Sequence, residues 1–272
     1  LPWREKPTPY HVWVSEIMLQ QTRVEAVKPY YDRFMERLPD IPALAAADEE
    51  TLLKLWEGLG YYNRVRNLKK AAVRIMEEYG GIMPGTRKEL MELPGIGSYT
   101  AGAVASIAYG RREPAVDGNV LRVFARILCD GRDMTQPAVR RQMEERIGQQ
   151  MPADRPGDFN QALMELGAMV CIPNGAPKCG ECPWKSFCLA MQRGEWARFP
   201  AKPEKKPRVI EEKTVLILWD EGRAALQKRP SKGLLAGMYE FPSLEGRLSG
   251  QEVLVRLREM GLSAVRIEPL GD

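Results

Sequence analysis

The side chains best suited to chemistry in this chain are two carboxylates and a group of cysteines. Glu16 sits in a pattern where the residues three and four positions away are Val12, Trp13, Leu19 and Gln20. On a helix that largely apolar setting raises a carboxyl pKa. Asp117 lies just before a helix start, in Ala115-Val116-Asp117-Gly118-Asn119-Val120, where the helix dipole and free backbone N–H groups favour the ionised form. Carboxyls tuned in opposite directions make an acid and its counterpart; the plainer readings are a surface glutamate and an ordinary helix cap. Four of the five cysteines follow the spacing Cys171-x7-Cys179-x2-Cys182-x5-Cys188. A structural zinc site commonly uses two short Cys pairs, and one is present here. A [4Fe–4S] cluster tolerates uneven spacing on one compact loop, so it ranks first, zinc second and unrelated thiols third. No charged leader followed by an apolar core opens the chain, which takes weight from disulfides. Cys129 falls on an apolar face near Phe124 and Leu128 and reads as a core residue.

A further candidate site is made of backbone. In Leu93-Pro94-Gly95-Ile96-Gly97-Ser98-Tyr99-Thr100-Ala101, Gly95 and Gly97 permit a tight turn and close approach of a ligand. The helix that follows offers its N-terminal N–H groups to an anion. Such a site suits a nucleic-acid phosphate and reads no sequence; an ordinary corner between two helices is the even alternative.

The elements that must hold these residues are mostly helices. Thr8-Pro9 is a helix start, and Thr22 with Glu25 reads as a capping box for a helix ending before Pro39. Asp48 caps 49–57, the pattern 63–79 stops at Gly80-Gly81, and Thr86 with Glu89 caps a short helix ending at Leu93. Helical patterns resume at 98–109, 119–129, 137–151 and 158–171, so residues 1–198 form an all-α region. Residues 199–213 are a Pro- and charge-rich linker. Beyond it, 214–219, 224–229, 239–241 and 264–267 look like strands and 251–260 like a helix, an α+β unit that reads as incomplete.

Composition sets wide bounds. Forty Lys and Arg against thirty-six Asp and Glu leave a net charge of +4, which permits a polyanionic partner without demanding one. A hydrophobic share of 44% excludes a disordered chain. The longest uncharged window, 93–110, is broken by glycines and a proline and makes a poor membrane span.

The hairpin, Asp117 and the cysteine loop together resemble the helix-hairpin-helix DNA glycosylases that carry an iron–sulfur cluster. Leu1-Pro2-Trp3-Arg4, Val14-Ser15-Glu16-Ile17-Met18-Leu19-Gln20-Gln21-Thr22 and Gly58-Leu59-Gly60-Tyr61-Tyr62-Asn63-Arg64 narrow the resemblance to the adenine DNA glycosylase family, over Leu1 through Cys188. The family's first cysteine gap is usually six residues, and here it is seven. The resemblance implies a mainly α helix-hairpin-helix glycosylase domain with a [4Fe–4S] loop, linked to a partial α+β Nudix-like domain. It implies that Glu16 protonates a flipped adenine and that Asp117, supported by Asn119, stabilises the oxocarbenium-like sugar. Trp3, Arg4, Leu19 and Gln161 would line the adenine pocket, while Gln21, Leu59 and Tyr61 would probe the duplex. Gly95 and Gly97 would hold its backbone, and Cys171, Cys179, Cys182 and Cys188 would bind the cluster.

Bifunctional relatives such as endonuclease III carry a Schiff-base lysine at the hairpin position where this chain has Tyr99, and no lysine occurs between Lys88 and Lys178. Hydrolytic base removal with little lyase activity is therefore expected. The implied substrate is double-stranded DNA with 8-oxoguanine:A or G:A mispairs, handled by a monomer without membrane contact, cytoplasmic and nucleoid-associated in a bacterium. The run from Leu226 to Pro242 is similar to the start of a Nudix fold, but the helix at 251–260 lacks the Glu-Glu pair that holds Mg²⁺ there. Lesion recognition rather than hydrolysis is implied for this part. The serine loop expected for that contact would follow Asp272, so the chain is expected to be truncated at its C-terminus and to discriminate weakly.

Overall fold

A computed structural model describes residues 1–201, 209–230, 233–235 and 237–271, so the middle of the linker, 202–208, lies outside the described residues. The chain divides into two compact units, Leu1–Pro203 and Glu204–Asp272.

The first unit is helical: α1 (Pro2–Glu5), α2 (Pro9–Leu19), α3 (Val24–Arg37), α4 (Ile41–Ala46), α5 (Glu49–Trp56), α6 (Asn63–Tyr79), α7 (Arg87–Glu92), α8 (Ser98–Ile107), α9 (Gly118–Leu128), α10 (Pro137–Gln150), α11 (Pro156–Glu165) and α12 (Leu189–Gln192). Helix starts follow local chemistry. Thr8, Asp40 and Asp48 each accept a hydrogen bond from the backbone N–H three residues on, and Thr86 with Glu89 forms a full capping box. Gly80 ends α6 in the left-handed region at φ 60°. Thr22 departs from expectation. Arg23 occupies the N-cap of α3 without a side-chain bond, because the Thr22 hydroxyl is turned to the Gln20 carbonyl and the Arg64 guanidinium instead. The pattern expected as one helix over 158–171 is a helix from Pro156 that widens into a π-turn, Leu166–Val170, just before Cys171.

Two apolar cores organise this unit. One gathers α2 to α8 around Trp13, Phe34, Trp56, Leu68, Ile75 and Val104. The other joins α9 to α12 around Val120, Phe124, Met143, Ile147 and Leu163, with Cys171, Cys188 and Trp184 against it. Glycines let the two meet closely. A Cβ on Gly102 of α8 would lie 2.2 Å from the Pro114 carbonyl oxygen, and one on Gly157 of α11 2.8 Å from the Ile107 Cα. Fully buried Asn160 fastens the same seam, donating to the Ser106 hydroxyl (2.7 Å) and the Glu113 carbonyl (2.9 Å) while accepting from Ala115 N–H (3.1 Å).

The second unit pairs β1 (Lys213–Val215) with β6 (Ser243–Glu245), β2 (Trp219–Asp220) with β3 (Arg223–Ala224), and β4 (Gln227–Lys228) with β5 (Tyr239–Glu240), all antiparallel. Helix α13 (Gly250–Glu259) buries Val253 and Leu257 against Leu216. The expected strand at 214–219 breaks between β1 and β2, and 264–267 pairs with no strand among the described residues; Val265 is fully exposed. No helix among the described residues is long and apolar enough to cross a membrane.

Candidate active site

Glu16 occupies the last turns of α2, which is buried almost all round, every residue from Val12 to Met18 being shielded from solvent. Its carboxylate accepts a hydrogen bond from the Tyr99 hydroxyl at 2.7 Å. Burial pushes the Glu16 pKa up from 4.5 to about 7, outweighing the Tyr99 bond, which lowers it; Asp117 raises it further and Arg4 lowers it. The Tyr99 hydroxyl, buried and beside Glu16 and Asp117, is held well above its ordinary value and stays protonated. It also touches the Met164 sulfur at 3.5 Å. The acid, the hairpin tyrosine and Asp117 are thus brought together from segments far apart in sequence.

Asp117 is the N-cap of α9, accepting from the Val120 backbone N–H and from the Asn119 side-chain amide, both at 2.8 Å. Asn119 in turn accepts from Arg122 (2.9 Å), whose guanidinium donates to the carbonyls of Gly167 and Cys171 (2.8 and 2.9 Å). A cap that is also held by a buried arginine network is fixed more firmly than a cap alone. Sequence reasoning missed Arg122; its signal was a cation one turn into an otherwise apolar helix face.

A cavity of about 640 Å³ opens between α1, the end of α8 and α11, lined by Arg4, Gln161, Glu165, Arg155, Asp158 and neighbours. Arg4 pairs with Glu165 across it, and Gln161 bonds back to the Gly157 carbonyl (3.3 Å). Leu19 is half-buried one turn beyond Glu16. Trp3 does not line this cavity. Its apolar ring is buried instead against Tyr31, edge-on at 5.3 Å between centroids.

The segments expected to face a duplex divide in two. Gln21 and Tyr61 are exposed, Tyr61 at 62%, and both adopt left-handed backbone, φ 58° and 49°. Leu59 corrects the expectation for it: flanked by Gly58 and Gly60, its side chain turns inward and is buried in the first core. In the hairpin, Gly95 needs its φ of 79°, and a Cβ there would lie 2.7 Å from Asn67. Gly97 sits at φ −92° as the N-cap of α8, with no capping side chain and open space at its Cα. The N-terminus of α8 is therefore accessible to an anion.

The four spaced cysteines are all half-buried and lie within electrostatic reach of one another. Cys171 follows the π-turn, Cys179 opens a 3₁₀ turn ending before Cys182, and Cys188 caps α12. Burial first, and the other thiols next, push the Cys179 thiol up; burial raises Cys188 too, against backbone bonds from Ala190 and Met191. Arg126 donates to the Cys171 sulfur at 3.2 Å. Among the described residues no three His, Cys, Asp or Glu side chains are grouped so as to hold one metal ion. Each iron of a cubane takes a single thiolate, so its ligands stand apart. Four thiols with N–H donors on two sulfurs and an apolar floor are a donor set that fits such a cluster. Cys129, outside this group, is the left-handed C-cap of α9 and packs, half-buried, against the second core.

Comparison with known proteins follows the same lines. A family model for HhH-GPD superfamily base excision DNA repair proteins matches residues 14–149. The human adenine DNA glycosylase is 39% identical over 92% of this chain and 56% of its own length. The mouse protein is 38% identical over 100% and 64%. That of Buchnera aphidicola from Acyrthosiphon pisum is 35% identical over 95% and 73%. The chain thus spans roughly three fifths of the mammalian relatives it matches. Among solved structures, a thermostable thymine-DNA glycosylase superposes with a TM-score of 0.63 at 30% identity, covering 71% of this chain and 88% of that one. An endonuclease III in non-covalent complex with DNA gives 0.60 at 25% identity, covering 69% and 86%. Agreement this extended, in sequence and in backbone, is a family relationship: the chain belongs to the adenine DNA glycosylases of the HhH-GPD superfamily.

Proposed function

We propose that this chain is a monofunctional DNA glycosylase of base excision repair, which hydrolyses the N-glycosidic bond of adenine mispaired with 8-oxoguanine or guanine. The observation that carries the reading is a buried Glu16 whose pKa is pushed to about 7, bonded to Tyr99 and set beside the capped Asp117. A purine leaves poorly as an anion. Glu16 gives its proton to a ring nitrogen as the C1′–N bond breaks and the bonding electrons go to the base. The sugar, left electron-poor, faces the Asp117 carboxylate, and water adds at C1′ with loss of a proton. Asn119 and the Val120 N–H hold that carboxylate in place.

The target adenine must leave the stack to reach Glu16. The cavity lined by Arg4 and Gln161, with Arg4 also within electrostatic reach of Glu16, supports a place for the extruded base, while exposed Gln21 and Tyr61 support a role at the gap left behind. Gly95, Gly97 and the open N-terminus of α8 would take a backbone phosphate. Tyr99 offers no amine for a Schiff base, which supports water as the nucleophile. Cys171, Cys179, Cys182 and Cys188 would hold a [4Fe–4S] cluster, which when bound would cross-link the turn after α11 to the start of α12. The second unit is read as a Nudix-like part that senses the lesion opposite the adenine.

Incubation with an 8-oxoguanine:A duplex followed by alkali cleavage tests the reading. Strand breaks at the adenine are expected with the chain as it stands, and Glu16→Gln should lose them while retaining DNA binding. Borohydride should trap little covalent enzyme–DNA product. An active Glu16→Gln variant would refute the assignment, and efficient trapping would refute the monofunctional chemistry.

A further inference from the structure

Arg64 opens the first turn of α6 and is only half-exposed, yet no carboxylate bonds to it among the described residues. Its two terminal nitrogens are spent mainly on backbone, while the buried Nε has no partner among the described residues. One terminal nitrogen, Nη1, donates to the carbonyls of Ile17, Met18 and Gln20, at 3.0, 3.0 and 2.6 Å. The other, Nη2, donates to the carbonyls of Leu59 and Gly60, at 3.0 and 3.2 Å, and reaches the Thr22 hydroxyl at 3.4 Å. The first set contains last-turn carbonyls of α2, which a helix end leaves without partners. The second belongs to the glycine-flanked loop after α5. One planar fork therefore ties two loops whose nearest bonded carbonyls, those of Gln20 and Leu59, are 39 residues apart in the chain.

What those loops carry gives the tie its meaning. Gln21 follows directly on the first set of carbonyls and Tyr61 on the second, and both are exposed non-glycine residues in left-handed backbone. Such conformations persist only where the surroundings over-determine them, and they gather at functional positions. The guanidinium also lies 5.5 Å from the centre of the Tyr61 ring and 5.3 Å from that of buried Trp56. A cavity of about 40 Å³ beside Arg64 is bounded by Gln20, Asn67 and the hairpin residues Pro94 and Gly95. Two segments that would meet a duplex thus converge on one side chain whose terminal nitrogens all point inward to them, and the hairpin lines the small cavity beside it.

We infer that Arg64 is a positioning residue for base extrusion: it locks Gln21 and Tyr61 as one rigid two-pronged wedge. This rests on the glycosylase reading above and adds a division of labour to it. Extrusion depends on the wedge, whereas proton transfer depends on Glu16 and Asp117. Losing the tie should therefore slow the enzyme most where the base is hardest to unpair.

The test uses the full chain on two duplexes. In one the adenine faces 8-oxoguanine. In the other it faces an abasic analogue, where no partner holds it and extrusion costs less. Arg64→Met is expected to slow single-turnover base removal about tenfold on the paired duplex and less than about threefold on the unpaired one. The pH midpoint of the rate should stay where it was. A 2-aminopurine at the target position should lose most of its fluorescence rise on binding. Arg64→Lys, which keeps the charge but not the fork, should fall between, and it serves alone if the Met variant does not fold. Equal slowing on both duplexes, a moved pH midpoint, or no slowing would each overturn the inference. A native chain that leaves adenine in both duplexes would instead overturn the glycosylase reading, and the 2-aminopurine signal would still decide the role of Arg64.

Discussion

Glu16 is half-protonated near pH 7 because its burial outweighs the Tyr99 hydrogen bond that would otherwise favour the anion. If it is the general acid, single-turnover base removal should fall as pH rises through about 7, and a pH–rate profile on a mispaired duplex checks this. The same shift touches stability. The folded pKa lies above the ordinary 4.5, so the folded state binds the proton more tightly than the unfolded chain. The associated stabilisation is full below about 4.5 and is lost as pH rises through about 7. Glu16→Gln, which has no charge to bury, should then be more stable than the native chain at pH 8, by an amount on the order of 3 kcal/mol, and should show a flatter dependence of Tm on pH. A variant less stable at pH 8 would contradict the burial argument. The apolar neighbours Val12 and Trp13 made this environment legible from sequence, since helical spacing decides who sits beside whom. Tyr99 as hydrogen-bond partner was not legible on that basis, because 83 positions separate it from Glu16 and only tertiary packing joins them.

At the scale of elements, helix boundaries were readable wherever one cap or one glycine decided them, as at Asp48, Thr86 and Gly80. Thr22 was misread because a distant arginine competes for its hydroxyl. The π-turn before Cys171 was invisible because it ends the helix, so no further turn follows in which the shifted apolar spacing could show. The seam between α8 and the segment leading to Asp117 depends on Gly102, which looks like any small residue in a small-residue helix. Its close approach to the Pro114 carbonyl makes it testable. Gly102→Ala should destabilise the fold by about 2 kcal/mol through overpacking, seen as a lower denaturation midpoint with unchanged slope. It should also reduce base removal, because the chain three residues beyond Pro114 is Asp117. Native-like stability in that variant would mean the seam is not as tight as described.

For the whole molecule, every candidate acid, cap, hairpin and cysteine residue falls within the first unit, which has two apolar cores of its own. A chain shortened to residues 1–201 should therefore still fold and remove adenine, with the loss confined to how well 8-oxoguanine:A is preferred over G:A. Circular dichroism and single-turnover rates on both duplexes measure this, and a shortened chain that folds but removes no adenine would refute it. The second unit was the least legible part. Its strands run to two or three residues and are mostly exposed, so alternation has little burial to record.

The two cores have a pharmacological consequence. Glu16 is anchored in one and Asp117 in the other, and the cavity flanked by Arg4 and Glu165 lies between helices belonging to each. A compound seated there would bear on α8 and α11 where Gly157 packs against Ile107, without touching either carboxyl. If the glycosylase reading holds, such a compound would act on the seam rather than on the reacting groups, and it would need no likeness to a nucleobase.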